Sequence, residues 1–161
     1  MYIDYRYFDK EEIEPRFEFG FGLTYSTFGY AGLRVTANNG SSSTAELPDP
    51  DIAIVQGGHP QLWDELYTVT ASITNTGNVT ASEIPQLYVS IPNAPVRQLR
   101  GFEKVPLKAG QTKAVRFPLT RRDLSIWDVG VQQWRLQRAE YGVFVGASSR
   151  DLRLEGSVRI Q

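Results

Sequence analysis

The sequence has no cysteine and a single histidine, His59, among its 161 residues. The lack of cysteine excludes disulfide bonds and thiolate zinc sites, and it leaves the redox compartment open. One histidine also excludes a histidine-based metal cluster within one chain. We therefore expect the chain to hold no metal and no cofactor.

Long apolar runs and an excess of one charge are also lacking. No apolar run approaches the roughly 18 residues that a membrane-spanning helix needs. The net charge is −1, with both signs interspersed, which is not the basic footprint of a nucleic-acid-binding protein. We therefore expect neither a membrane nor a nucleic acid as a partner.

A secretory signal is not found either, because Met1 is followed by Tyr2-Ile3-Asp4 without a basic start or an apolar stretch. Two interpretations fit: a cytoplasmic protein, or a chain whose upstream part carried the signal. The abrupt aromatic start favours the second interpretation.

Aromatic residues are concentrated at the start of the chain, in residues 1–28, which we call the lead segment. So dense an apolar stretch needs a surface to lie against, because large exposed apolar patches usually mark interaction sites. Gly20 and Gly22 would let the backbone approach a partner closely. We therefore predict that the lead segment is a docking face, with candidate interface residues Tyr5, Arg6, Tyr7, Phe8, Phe19, Phe21 and Tyr25.

Residues 29–161 show the period-two alternation of half-buried β-strands and no sustained helical period. Residues 29–37 are predicted to form the first strand, and only residues 120–125 could form a single helical turn. About seven short strands separated by turn residues predict an antiparallel β-sandwich. Its expected core is Tyr67, Val69, Ile73, Leu87, Val89, Val115, Phe117, Val143, Val145, Leu152 and Leu154.

Residues 38–61 are rich in Gly, Ser, Pro and Asp and are predicted to form a long loop, the most exposed or mobile part of the domain. The immunoglobulin signature of two cysteines flanking a tryptophan is not present. We therefore expect an all-β fold of the fibronectin type III-like kind.

Several segments, in order and at matching spacing, resemble the C-terminal fibronectin type III-like domain of family 3 glycoside hydrolases, the β-glucosidases. They are residues 4–9, 19–25, 75–77, 86–89, 99–105, 122–125, Trp134 and residues 141–151. The resemblance covers almost the whole chain except residues 38–61. The run Glu14-Pro15-Arg16 is similar to the secreted fungal branch, which implies an extracellular parent protein.

The resemblance implies that this chain alone is not an enzyme. Retaining glycosidases need two carboxylates about 5 Å apart, and in the family both lie on upstream domains, so no catalytic residue has a counterpart here. Close carboxylate pairs in this chain, such as Asp4/Asp9 and Asp49/Asp51, are interpreted as solvated charge. The expected role is a non-catalytic module that packs on and stabilises the catalytic domains of a parent that removes terminal β-linked glucose.

Two alternatives remain open at this point. A carbohydrate- or lignin-binding module would need an exposed aromatic face, for which Trp63 is the best candidate, whereas Trp127 and Trp134 are interpreted as packed. A free-standing protein-interaction domain is the other alternative. Exposure of Trp63 separates the first alternative from the accessory role.

Two sequons, beginning at Asn39 and Asn78, are candidate N-glycosylation sites, and both lie in predicted turns. Occupancy is expected only if the parent protein is secreted.

Overall fold

The computed structural model describes residues 2–38 and 44–161. Two antiparallel sheets form the body of the domain, which confirms the predicted all-β sandwich. In the three-stranded sheet the spatial order is β1 (Phe28–Ala37), β2 (Glu65–Asn75) and β7 (Thr112–Thr120). In the four-stranded sheet it is β11 (Leu152–Arg159), β10 (Glu140–Gly146), β4 (Gln86–Ser90) and β5 (Gln98–Phe102).

Smaller elements flank the two sheets. A short ladder joins β3 (Ala81–Glu83) to β6 (Val105–Leu107), and a hairpin joins β8 (Ser125–Asp128) to β9 (Gln133–Leu136). The helices are α1 (Tyr5–Lys10) and two 3-10 turns, Pro60–Trp63 and Arg122–Leu124. The second turn lies where the sequence predicted one, whereas α1 was not predicted.

The core lies between the two sheets and follows the predicted alternation. Val69 and Ile73 of β2 are fully buried and share one cluster with Val143 of β10. Phe117 of β7 reaches the opposite sheet, where a Cβ added to Gly101 of β5 would lie 3.1 Å from its ring. The glycine therefore allows the aromatic ring to fill the space between the sheets.

Two members of the predicted core, Leu152 and Leu154, are only half-buried. Both belong to β11, which is an edge strand of its sheet. An edge strand has a neighbour on one side only, so alternation along it does not ensure full burial. The remaining nine predicted core residues are buried.

Tyr141, at the start of β10, forms a tyrosine corner, a motif typical of immunoglobulin-like sandwiches in which the hydroxyl bonds to the backbone a few residues upstream. Its hydroxyl donates to the carbonyl of Gln137 at 3.0 Å and accepts from the N–H of the same residue at 2.9 Å. Burial raises the pKa of Tyr141, so the hydroxyl stays a proton donor. The side chain is fully buried and fixes the approach of the chain to β10.

The described part of the predicted loop, residues 44–61, is folded against the β8–β9 hairpin. The N–H of Leu136 donates to the carbonyl of Glu46 at 2.9 Å, and the buried Arg121 donates to the carbonyl of Ala45. His59 closes the loop on itself, because its Nδ1 accepts from the Gln61 N–H and its Nε2 therefore donates to a backbone carbonyl at 2.9 Å. The described part of the predicted loop is thus anchored to the rest of the domain by these contacts.

Candidate docking face and aromatic groove

Tyr5 attaches the helix α1 to the sandwich. Its ring stacks on Phe19 at 4.5 Å and meets the edge of the buried Tyr88 at 6.1 Å. Its hydroxyl accepts a hydrogen bond from the N–H of Leu99 at 2.9 Å. A six-residue helix is marginal in isolation, so these tertiary contacts explain why α1 forms without a helical sequence pattern.

Asp9 gives the same helix an electrostatic anchor. Its side chain is 5% exposed and lies 3.3 Å from the guanidinium groups of both Arg97 and Arg150. Arg150 also donates to the carbonyl of Ile13 at 2.8 Å, which holds the chain that follows the helix. The interpretation of Asp9 as a solvated charge is therefore wrong, because two cations from distant parts of the sequence enclose it.

Gly20 lies where the lead segment approaches the four-stranded sheet most closely. Its carbonyl accepts from the side-chain amide of the buried Gln86 at 2.9 Å. A Cβ at Gly20 would be 2.1 Å from Oε1 of Gln86, and the backbone there has a φ of +81°. Only glycine combines that conformation with that space, so the close approach predicted for this residue is made to the sandwich itself.

The candidate interface residues divide into two groups. Tyr5, Arg6, Phe8 and Phe19 are half-buried, whereas Tyr7, Phe21 and Tyr25 are exposed. Phe17 and Leu23 of the lead segment are exposed as well, and the side chain of Tyr25 is 100% exposed. We call Phe17, Phe21, Leu23 and Tyr25 the outer face, since all four side chains are exposed.

A second apolar surface lies between the 44–63 segment and the β8–β9 hairpin. This groove, of about 680 Å³, is lined by Trp63, Trp127 and Trp134 together with Arg122. The guanidinium of Arg122 lies 3.8 Å from the centre of the Trp134 ring, and the Trp127 ring meets Trp134 edge-on at 5.8 Å. The three tryptophans, separate in sequence, are thus gathered in one place.

Trp63 is 60% exposed, as its position between the loop and a strand indicated. Trp127 is exposed as well, so its interpretation as a packed residue is wrong, whereas Trp134 is half-buried. The antiparallel register places Trp127 directly opposite Trp134. The sequence alone could not reveal this pairing, because the partner of β8 depends on the turn that follows it.

Titratable side chains are the groups that could bind a metal ion or have a shifted pKa. In residues 2–38 and 44–161 there is no group of three or more His, Asp or Glu side chains suited to a metal ion. Burial raises the pKa of Glu83, although the backbone N–H of Ile84 and the charge of Arg153 oppose the shift. Asp128 has a lowered pKa because it accepts from backbone N–H groups in the β8–β9 turn.

Asn78 lies in the turn between β2 and β3, and its side chain is exposed, so it is accessible to glycosylation. Asn39 lies outside the described residues. None of the helices in the described part of the chain has the length and apolarity to cross a membrane.

Comparison with known proteins agrees with this architecture. The model of the fibronectin type III-like domain family matches residues 83–149, from β3 to the turn after β10. The chain is 58% identical over 160 residues to a probable β-glucosidase M of Aspergillus niger, covering 99% of this chain and 20% of that protein.

Solved structures give the same result. The β-D-glucoside glucohydrolase of Trichoderma reesei matches with a TM-score of 0.91 and 41% identity, over 99% of this chain and 22% of that one. A β-glucosidase of Chaetomella raphigera matches with a TM-score of 0.89 and 43% identity, again over 99% and 22%. A glycoside hydrolase family 3 β-glucosidase of Neurospora crassa matches at 0.86 and 30% identity.

The chain therefore spans about a fifth of the length of the curated relatives that it matches. The matches cover nearly all of this chain and a minor share of each of those proteins. The chain is thus a fibronectin type III-like domain that is similar to a part of the glycoside hydrolase family 3 β-glucosidases.

Proposed function

We propose that this chain is the non-catalytic accessory domain of a secreted β-glucosidase, and that it docks through the outer face on the catalytic domains and stabilises them. The relatives' names supply the activity of the parent protein, hydrolysis of β-glucosides. The observation that carries the docking role is the outer face itself. It exposes four large apolar side chains on a segment that several specific contacts attach to the sandwich.

The anchoring explains why the outer face is suited to docking. Tyr5, Asp9 and Gly20 hold the lead segment on the sandwich, so its exposed aromatic side chains lie on an ordered support. A rigid surface loses less conformational entropy on binding than a mobile one. The exposed rings of Phe17 and Phe21 stack at 5.3 Å, which prearranges them further.

The partner is the rest of the parent chain, because about four-fifths of the length of the relatives lies outside this chain. Apolar, aromatic-rich surfaces are typical of the centre of an interface. The family resemblance implies that both catalytic carboxylates lie outside this chain, so we expect the isolated chain to release no product from an aryl β-glucoside.

Tyr25→Ala tests the docking role by comparing two proteins. In the isolated chain Tyr25 is fully exposed, so we expect the free energy of unfolding to change by less than about 0.5 kcal/mol. In the full-length parent protein the same change should remove an interface anchor and weaken the packing of this domain on the catalytic domains by about 2 kcal/mol. Urea titrations and the half-life of aryl β-glucoside hydrolysis at elevated temperature measure both effects.

Phe102→Ala is the matched control, because Phe102 is also an exposed aromatic residue but lies on β5 outside the outer face. Phe102→Ala should change neither the free energy of unfolding of the isolated chain nor the half-life of hydrolysis by the parent protein appreciably. If Tyr25→Ala and Phe102→Ala behave alike in the parent protein, the outer face is not the docking surface.

A further inference from the structure

We propose that the groove between the 44–63 segment and the β8–β9 hairpin is a binding site for a neutral oligosaccharide. Its volume of about 680 Å³ lies within the range of small-molecule sites, about 300–1,000 Å³. Its lining brings together planar aromatic faces and polar groups. This site is separate from the outer face, and the proposal does not depend on the docking role.

The first argument is the supply of unpaired hydrogen-bond donors. In the described part of the chain, none of the three indole N–H groups of Trp63, Trp127 and Trp134 has a hydrogen-bond partner. The side-chain amide of Gln133, which also lines the groove, has none either. A ligand rich in hydroxyl oxygens would satisfy such donors, because indole N–H groups donate only.

The second argument is the shape of the aromatic surface. A pyranose ring has apolar C–H faces and a polar edge, so it can stack on a tryptophan while its hydroxyls bond to donors beside the ring. Trp63 offers the most exposed aromatic side chain of the groove, and Trp127 and Trp134 form a second wall. A purely apolar ligand would leave the donors without partners, which is costly once water is excluded.

The third argument concerns charge. Among the described residues that line the groove, Arg122 is the only lysine or arginine, and its guanidinium already stacks on Trp134. His59 uses both ring nitrogens within its own loop. The remaining charged residue of the lining is Asp49. One cation and one anion leave the groove without net charge, which suits a neutral ligand.

The groove is also built to hold its form. The Leu136-to-Glu46 hydrogen bond connects the loop wall to β9, and the His59 contacts hold the loop together. On the opposite wall, the Asp128 carboxylate accepts from the N–H groups of Gly130 and Val131 and pairs with Arg135 at 3.0 Å. Both walls are thus fixed before a ligand binds, which reduces the cost of binding.

Titration of the 161-residue chain with cellohexaose, a neutral chain of β-linked glucose, tests the proposal. Tryptophan fluorescence and isothermal calorimetry should both show saturable binding, whereas sorbitol at the same hydroxyl concentration should show none, since it has no ring to stack. Trp63→Ala should weaken binding about tenfold. Trp63→Phe should restore part of it, because it returns a ring without the N–H.

Phe102→Ala is again the control and should bind cellohexaose as the unmodified chain does. Loss of cellohexaose binding on Trp63→Ala with unchanged urea stability would support the proposal. Absence of saturable binding, or equal binding by Trp63→Ala and the unmodified chain, would overturn it. So would concentration-dependent self-association that Trp63→Ala abolishes and cellohexaose does not compete with, because the groove would then be a protein interface.

Discussion

Replacing Asn75 with alanine should be among the most damaging single changes in the domain. This residue ends β2 and is fully buried, and its side-chain amide makes four hydrogen bonds. The nitrogen donates to the carbonyls of Val79 and Leu107, at 2.8 and 3.0 Å. The oxygen accepts from the Ser26 hydroxyl at 2.6 Å and from the Gly77 N–H at 3.0 Å. One side chain thus joins the lead segment, the β2–β3 turn and β6.

The magnitude follows from this inventory. An amide has two donor hydrogens and two acceptor lone pairs, so the hydrogen-bonding capacity of Asn75 is filled. A hydrogen bond in a folded protein contributes about 0.5–1.5 kcal/mol net, so four bonds give about 2–6 kcal/mol. Three of the four are only partly buried, and water can replace the lost partner there. We therefore expect Asn75→Ala to cost about 2–4 kcal/mol.

Urea titration of the 161-residue chain measures this cost. The slope of the free energy of unfolding against urea concentration should be the same in the unmodified chain and the Asn75→Ala chain, as expected if unfolding remains two-state. Asn78→Ala is the matched control, because Asn78 is the same residue type in the same turn but exposed. It should change the free energy of unfolding by no more than about 0.5 kcal/mol. Asn75→Asp, which keeps an acceptor oxygen but loses both donors, should also be strongly destabilising. Equal stability of the Asn75→Ala and Asn78→Ala chains would refute the reasoning.

Three further predictions concern the sandwich. Phe117→Ala empties the space over Gly101 and should cost about 3–5 kcal/mol in the same titration, whereas a loss below about 1 kcal/mol would mean that the ring is not in the core. Tyr141→Phe removes both bonds to Gln137 and should cost about 1–3 kcal/mol, with little change in apolar burial. Because the pKa of Glu83 is raised in the folded state, its ionised carboxylate destabilises the fold at pH values above that pKa. The free energy of unfolding should therefore rise as the pH falls towards 4.5, the ordinary pKa of the group. Glu83→Gln should therefore raise the free energy of unfolding at pH 7. Below pH 4.5 the urea midpoints of the Glu83→Gln chain and the unmodified chain should coincide.

Much of the sandwich could be predicted because burial on one face of a strand leaves a period of two. Val69 and Ile73 of β2 and Val143 of β10 were identified in this way, and all are buried. Half-burial on the edge strand β11 was not foreseen, because alternation does not reveal which strands have a neighbour on both sides. The helix α1 was missed for a related reason, since contacts with Tyr88 and Leu99, distant in sequence, stabilise it.

The two surfaces were predictable to different degrees. Local crowding of aromatic residues identified the lead segment, and the exposure of Tyr25 is consistent with that expectation. The groove was foreseen only as the exposed Trp63, because Trp127 and Trp134 reach it through the register of the β8–β9 hairpin. The backbone hydrogen bond from Leu136 to Glu46 shows that the loop folds against β9. No local sequence pattern predicts this contact.

The attachment of the lead segment determines where this domain can be divided when chimeric enzymes are made. A graft that starts at residue 29 would discard Asp9, Gly20 and Ser26. It would leave their partners in the sandwich unsatisfied: Arg97 and Arg150 without their shared carboxylate, and the amides of Gln86 and Asn75 with one bond fewer. A transplantable cassette must therefore begin before Tyr5, and every recipient would receive the outer face together with the sandwich.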